Sequence, residues 1–154
     1  MSDPLVVRQV NGGDVAVLAG LGPSWNSAVR TLFTQQERGR CTLFAAWLGS
    51  LPVGLAELTS ASPPELRSLQ VLEAHRGSGY GTALVRAVER AAAPAGVLRL
   101  GVDAENHSAR RLYERLGYEP TGVVSQSRYR YVDDDGISRE ATELNIEMEK
   151  PLSC

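Results

Sequence analysis

The chain has 154 residues, of which 43% are hydrophobic and 22% are charged, and its formal net charge is -2. This length and composition predict a single folded domain over residues 1–154 and exclude a disordered chain. The near-neutral charge argues against nucleic acid as a partner. Cys41 and Cys154 are the two cysteines; without a CxxC pair they indicate neither a disulfide framework nor a metal site.

The N-terminal residues lack the basic and apolar pattern of a signal peptide. No apolar run approaches the roughly 18 residues that are needed to span a bilayer. We therefore expect a cytoplasmic protein with no membrane partner.

The first half of the chain predicts three strands and two helices. Apolar runs indicate strands at Leu5–Val10, Cys41–Leu48 and Val53–Thr59. Helices are expected at Asp14–Ala19 and Ser24–Arg38, with Ser24 as the N-cap of the second. Because a short turn with Gly and Pro separates the second and third strands, these two are expected to form a hairpin.

The second half predicts a strand, a helix, a strand and a helix, followed by a hairpin. The first four elements are expected at Leu66–Leu72, Tyr80–Ala93, Val97–Val102 and Asn106–Gly117. A strand from Tyr118 then reaches a Tyr-rich stretch, and the turn at residues 133–136 leads to a last strand at Glu143–Glu149. The order predicts an α+β fold with a mixed, mostly antiparallel central sheet flanked by about four helices.

Glycines at positions 77 and 79 lie directly before the helix that begins at Tyr80, and Gly81 lies in its first turn. Backbone N–H groups that side chains do not shield, together with the helix dipole, favour an anion such as a phosphate. A P-loop would need a Lys that is missing here, and a GxGxxG fingerprint from Gly77 has Thr82 at its third position. Asp103 does follow the next strand, as a dinucleotide site requires. A dinucleotide site and a tight connection without a ligand therefore remain alternatives.

Two segments resemble the signatures of the GNAT superfamily of N-acetyltransferases. The first, Val71–Leu84, matches the core pattern Arg/Gln-x-x-Gly-x-Gly/Ala with Arg76, Gly79 and Gly81. The second, residues 106–118, has an Asn that begins a helix with a Leu-Tyr pair and a Gly-aromatic end. The resemblance covers Val53–Tyr118 well and the rest of the chain by element order.

The resemblance implies a GNAT-like fold and an enzyme that moves an acetyl group from acetyl-CoA to a primary amine. The transfer would be direct, within a ternary complex and without a metal. The acceptor would be a small-molecule amine or the amine of a peptide or protein, and a homodimer is an option. The alternative from a different class is an acyl-CoA-binding regulatory module without turnover.

The same resemblance assigns residues to the acyl donor. Free backbone groups of Leu69, Gln70 and Val71 would pair with the pantetheine arm, and one N–H would polarise the thioester carbonyl. The pyrophosphate would lie in the loop formed by Arg76, Gly77, Ser78, Gly79, Tyr80, Gly81 and Thr82. Asn106 would contact the cofactor, and Tyr113 would be the general acid that protonates the thiolate. Seven residues separate Asn106 from Tyr113, which places both on one face of their helix.

Glu57 is the candidate general base. Its spacing from Val53 and Leu55 predicts that all three side chains point to one face of their strand. A carboxylate on an apolar face is suited to take a proton directly or through a water. Glu73, Glu105 and an ordered water are the competing bases.

The two histidines and the acidic turn are assigned no catalytic role. His75 and His107 lack partners at ligand or triad spacing, so a metal site is not predicted. The resemblance places the acceptor between residues 22–26 and 128–136, where Trp25, Tyr129 and Tyr131 are candidate lining residues. The three aspartates at 133–135 either attract a cationic amine or form a solvated turn.

Overall fold

The computed structural model describes residues 3–153, so Cys154 and the prediction made for it lie outside the described residues. The strands are β1 Leu5–Gln9, β2 Cys41–Leu48, β3 Leu51–Thr59, β4 Glu65–Val71, β5 Val97–Asp103, β6 Glu119–Val132 and β7 Ser138–Pro151. The helices are α1 Val15–Ala19, α2 Pro23–Glu37, α3 Tyr80–Ala92 and α4 His107–Arg115. The predicted element order is confirmed.

All seven strands form one sheet in the order β1-β2-β3-β4-β5-β7-β6. Only β4 and β5 pair in parallel, and the other neighbours are antiparallel. This confirms an α+β fold with a mostly antiparallel sheet. A dinucleotide-binding fold is built from several parallel strands in succession, so the dinucleotide alternative is wrong.

Each face of the sheet is covered by its own apolar cluster. The cluster under α3 contains Leu84, Val85 and Val88 of the helix, and Tyr113 and Tyr118 belong to it. The cluster under α2 contains Trp25 and Val29 of that helix, packed with Leu43, Trp47 and Leu55 of the sheet. The sheet is therefore the central layer, and its residues point alternately into the two clusters.

The predicted N-cap of α2 and the predicted start of β7 are wrong. Helix α2 begins at Pro23 after Gly22, and Pro suits the first helical position because its missing N–H would have no partner there. The Ser24 hydroxyl instead donates to Asp134 in the β6–β7 turn, at 2.9 Å. Strand β7 begins at Ser138 rather than Glu143, because polar residues such as Glu140 pair in register with Arg130 of β6.

The alternating pattern predicted that Val53 and Leu55 point to the same face of β3, but the two side chains pack in different clusters. The pairing of β2 with β3 shifts between Ala46↔Gly54 and Trp47↔Pro52, which leaves Val53 as the extra residue of a β-bulge. A bulge interrupts the alternation of side chains along a strand. Val53 therefore packs in the cluster under α3, whereas Leu55 packs in the cluster under α2.

A buried carboxylate connects α3 to the last strand. Glu89 accepts hydrogen bonds from the Tyr118 hydroxyl at 2.7 Å, from Arg86 at 2.9 Å and from Lys150 at 3.1 Å. Burial raises the pKa of Glu89, but the three hydrogen bonds and the charge of Lys150 outweigh it, so the net shift of this pKa is downward. The charged form of Glu89 therefore stabilises the fold.

We predict that Glu89→Gln lowers the free energy of unfolding at pH 7 by about 1–3 kcal/mol, measured by urea denaturation. Because the folded-state pKa is lowered, the stabilisation is present above the unfolded-state pKa and is lost as the pH falls through the folded-state value. The difference between variant and wild type should therefore shrink from pH 7 towards strongly acidic pH. Glu140→Gln, at an exposed site on β7, is the control. A pH-independent difference would contradict the network.

Candidate active site

The sheet splits open between its two parallel strands. Strands β4 and β5 pair only at Glu65↔Arg99 and Leu66↔Leu100. Beyond these pairs β4 contains a bulge, because its register with β3 shifts between Glu57↔Arg67 and Leu55↔Gln70.

Ser68 lies in this bulge with φ 57°, a left-handed conformation that is uncommon outside glycine. A bulge bends its strand and raises the local twist. Strand β4 therefore diverges from β5, and a cavity opens between them.

The cavity measures about 860 Å³ and is lined from both sides of the split. The α4 side contributes Asn106, Ala109, Leu112 and Tyr113. The opposite side contributes mostly polar residues of the strands: Glu57, Glu65, Arg67, Ser68, Asp103, Ser125, Ser127, Tyr129, Glu143, Asn145 and Glu147. A molecule in the split would therefore be reached from both faces of the sheet.

Backbone groups of β4 face the split in the segment that was assigned to the pantetheine arm. The Leu72 N–H donates to the Val53 carbonyl at 2.9 Å, and Gln70 pairs with Leu55. Since hydrogen-bonded pairs alternate along an antiparallel ladder, the backbone groups of Val71 point away from β3. The Val71 carbonyl accepts a hydrogen bond from Arg76 Nε at 3.0 Å. Leu69 lies in the bulge without a partner in the register, whereas the backbone of Gln70 is directed at β3.

The Gly-rich loop presents open space at the start of α3. Gly77 and Gly79 have φ of 81° and 84°, and a Cβ at either position would meet no atom within 4 Å. Gly79 is the N-cap of α3 and no side chain caps the helix, so the first N–H groups are available to an anion. Gly81 differs, because its Cβ would point inward, 3.8 Å from Leu112.

The remaining loop residues lie at the surface or near it. Arg76 and Ser78 are exposed, Tyr80 and Thr82 are half-buried, and the Tyr80 ring lies 6.3 Å from the His75 ring. Within the described chain, none of residues 76–82 lines the cavity. The loop and the cavity are therefore two parts of the site, one at the start of α3 and the other beside α4.

Asn106 and Tyr113 both line the cavity, as their common helix face predicted. Asn106 is the N-cap of α4, where its Oδ1 accepts from the Ala109 N–H at 3.1 Å. Tyr113 is 7% exposed and its ring packs edge-on against Tyr118. Burial raises the pKa of Tyr113 to about 12, so the phenol stays protonated at neutral pH. Its hydroxyl has no hydrogen-bond partner among residues 3–153 and faces the cavity.

Glu57 enters the cavity from the other side of the split. It is 9% exposed, and its Oε1 accepts a hydrogen bond from Ser68 in the bulge at 3.2 Å. The pKa of the nearby Cys41 thiol is raised to about 11. Burial of the thiol is the largest cause, and the charge of Glu57 and a hydrogen bond with Glu57 add to it. Glu73 and Glu105 are both exposed and neither lines the cavity.

The acidic lining of the cavity escaped the sequence analysis. Five carboxylates and one guanidinium face it: Glu57, Glu65, Asp103, Glu143, Glu147 and Arg67. The strands that carry them are far apart in the chain. Asp103 and Glu143 become neighbours through the pairing of β5 with β7, which the sequence alone does not reveal. Acidic residues on one face of adjacent strands are the signal that would have found them.

The aromatic candidates divide into one that lines the cavity and two that do not. Tyr129 lines it, whereas Trp25 is 8% exposed and packs under α2. Tyr131 is 42% exposed and lies outside the lining. In the acidic turn, the Asp133 carboxylate forms an ion pair with Arg139 and accepts a hydrogen bond from the N–H of Ile137. That pairing favours a solvated turn.

His107 is exposed and His75 is half-buried. Within residues 3–153, no group of three or more His, Cys, Asp or Glu is arranged to hold a metal ion. None of the helices in this part of the chain combines the length and apolar character that a membrane crossing requires.

A model of the acetyltransferase (GNAT) family matches residues 17–118, which is more than half of the chain. The uncharacterized N-acetyltransferase YycN from Bacillus subtilis (strain 168) is 40% identical over 58 residues. That match covers 36% of this chain and 37% of YycN.

Solved structures share the fold across nearly the whole chain. The ribosomal-protein-S18-alanine N-acetyltransferase from Escherichia coli has a TM-score of 0.71 at 21% identity, covering 98% of this chain and 96% of that one. A GNAT family acetyltransferase from Elizabethkingia anophelis with acetyl-CoA bound has a TM-score of 0.69 at 18% identity, covering 97% and 99%. The predicted GNAT-like fold is confirmed.

Proposed function

The chain belongs to the acetyltransferase (GNAT) family, and we propose that it transfers the acetyl group of acetyl-CoA to a primary amine by direct attack. The observation that carries this proposal is the opening between β4 and β5, with the unpartnered phenol of Tyr113 on one side and the Glu57 carboxylate on the other. A related fold holds acetyl-CoA in the Elizabethkingia anophelis structure.

The residues of the loop and of β4 suit the two ends of an acyl-CoA. The N-terminus of α3 has free N–H groups beside Gly77 and Gly79, which suits a pyrophosphate. The pantetheine arm, which carries amides, would pair with the backbone of Leu69 and Val71 where β4 leaves β5. An N–H in this segment would also hydrogen-bond the thioester carbonyl and stabilise the negative charge that develops on its oxygen.

The chemistry requires one bond to form and one to break. Acetyl-CoA supplies an acyl carbon activated as a thioester. The amine nitrogen forms a bond to this carbon and loses one proton, which Glu57 accepts directly or through a water. As the carbon–sulfur bond breaks, its electron pair leaves with the sulfur, and Tyr113 donates its phenolic proton there. The products are the N-acetyl amine and the CoA thiol, and proton exchange with solvent restores Tyr113 and Glu57.

A comparison of two glycines tests where the pyrophosphate lies. Gly79→Val is expected to weaken acetyl-CoA binding roughly tenfold or more, because its side chain enters the space beside the first N–H groups of α3. Gly96→Val is the matched control, since Gly96 also has a positive φ, 79°, and open space around its Cβ, but follows the other end of α3. Calorimetric titration with acetyl-CoA measures the affinity of both variants. Equal losses, or no loss at Gly79, would contradict the placement.

The role of Tyr113 predicts a loss of rate rather than of binding. Tyr113→Phe should lower kcat roughly a hundredfold, because the leaving thiolate no longer receives a proton, while the Kd for acetyl-CoA stays within about threefold. Thiol release and calorimetry provide the two numbers, with Tyr131→Phe as the control on the exposed side of the hairpin. Binding of acetyl-CoA without thiol release from any amine would favour a non-catalytic binding module.

The role of Glu57 predicts a change in the pH dependence of turnover. Glu57→Gln keeps an oxygen that can accept from Ser68, so the fold and acetyl-CoA affinity should be maintained while turnover at neutral pH falls at least tenfold. The rise of kcat with pH that reports deprotonation of the base should also disappear. A pH-rate profile that matches the wild type would assign the base to another group.

A further inference from the structure

Among residues 3–153, Ser68 is the one residue other than glycine that has a positive φ, 57°. This conformation is uncommon for a residue with a Cβ, and residues held in such conformations concentrate at functional sites. The bulge places Ser68 and Leu69 of β4 opposite a single residue of β3, Ala56. Glu57 is the next residue of β3, and its Oε1 accepts a hydrogen bond from the Ser68 hydroxyl at 3.2 Å.

Two other polar groups from neighbouring strands lie near Glu57. Arg67 is its register partner on β4, but the Arg67 guanidinium forms an ion pair with Glu65 at 2.8 Å. The Cys41 thiol on β2 has a pKa of about 11, so it stays neutral, and a thiol is a weak donor. Compared with these two groups, the Ser68 hydroxyl is the stronger neutral donor to the Glu57 carboxylate.

A general base must hold an oxygen in a defined position to accept a proton. The last torsion of a Glu side chain is broad, so packing alone does not fix the plane of its carboxylate. The hydrogen bond from Ser68 to Oε1 restricts this rotation and leaves the other oxygen of Glu57 to accept a proton. Because a displacement of about 1 Å costs on the order of a hundredfold in rate, this restriction bears directly on turnover.

Ser68 also connects Glu57 to the strand that would bind the acyl donor. It directly precedes Leu69, and Ser68 and Glu57 both line the cavity. Strand β4 is no longer paired with β5 beyond Leu66. One bulge therefore sets the position of the backbone assigned to the pantetheine arm and of the hydroxyl that contacts the carboxylate.

We propose that Ser68 is a positioning residue for the acetyl transfer, and that its hydroxyl holds the Glu57 carboxylate in the orientation that accepts the proton of the amine. The inference rests on the acetyltransferase function proposed above. The O–H bond of Ser68 stays intact throughout, and the proton lost by the amine goes to Glu57. Removal of the hydroxyl should therefore slow the chemical step and leave acetyl-CoA binding unchanged.

Two variants separate the hydroxyl from the backbone conformation. Ser68→Ala removes the hydroxyl and keeps the Cβ, whereas Ser68→Gly removes the hydroxyl and also relieves the left-handed conformation, which secures a folded variant. Thiol release from acetyl-CoA is measured with n-butylamine, putrescine and a peptide with a free N-terminal amine. We expect both variants to lower kcat roughly tenfold, while calorimetry shows a Kd for acetyl-CoA within about threefold of the wild type.

Ser60→Ala is the matched control for loss of a hydroxyl. The Ser60 hydroxyl is also hydrogen-bonded, to the Gly39 carbonyl at 2.9 Å, but Ser60 lies outside the cavity lining. This variant should therefore keep the wild-type kcat.

A double variant tests whether Ser68 acts through Glu57. In the Glu57→Gln background, Ser68→Ala should change kcat less than about twofold, because the base that the hydroxyl holds is already gone. An equal tenfold loss in both backgrounds would overturn the assignment, since the hydroxyl would then act on another group.

The contrary results separate this inference from the proposed function. Wild-type kcat in Ser68→Ala, with or without a loss in Ser68→Gly, would overturn the role of the hydroxyl and leave the acetyltransferase. A loss in Kd rather than in kcat, or wild-type turnover in Glu57→Gln, would do the same. If none of the three amines releases thiol, the acetyltransferase proposal fails, and the role of Ser68 fails with it.

Discussion

The structure depends on one interruption of backbone pairing, the failure of β4 to continue alongside β5 after Leu66. Ser68 takes a left-handed conformation in the bulge, and the strand turns away from its parallel neighbour. Continuous pairing would satisfy the backbone groups of both strands and leave a closed sheet. The bulge gives up part of that pairing, and the N–H groups that it leaves without a strand partner are the ones that we propose to bind the amides of the pantetheine arm.

The split also explains why the two faces of the sheet take part in one site. Helix α4 lies on the face of the cluster that contains Tyr113, and Glu57, Asp103 and Glu143 enter the cavity from the strands opposite. A closed sheet would separate Tyr113, the proposed acid, on one face from Glu57, the proposed base, on the other. The opening lets a buried phenol, which stays protonated because of its raised pKa, and a carboxylate approach the same molecule from opposite sides.

The sequence was sufficient for the features that short segments determine. Gly77 and Gly79 precede a strongly amphipathic helix, and Asn106 and Tyr113 are two turns apart, so local geometry placed them. The bulges at Val53 and Ser68 arise from pairing between strands, and neither side chain signals a break in register. The acidic wall was missed for the same reason, because Asp103 and Glu143 become neighbours only through the pairing of β5 with β7.

The proposed pairing of an acyl-CoA with the backbone of β4 inside the split can be measured directly by residue-resolved amide hydrogen exchange. Val71 N–H points away from β3, whereas the backbone of Gln70 next to it pairs with β3 and is the internal reference. Saturation with CoA should slow exchange at Val71 by tenfold or more, on the order of one added hydrogen bond, and leave Gln70 nearly unchanged. Unchanged exchange at Val71, while calorimetry shows that CoA binds, would contradict this pairing.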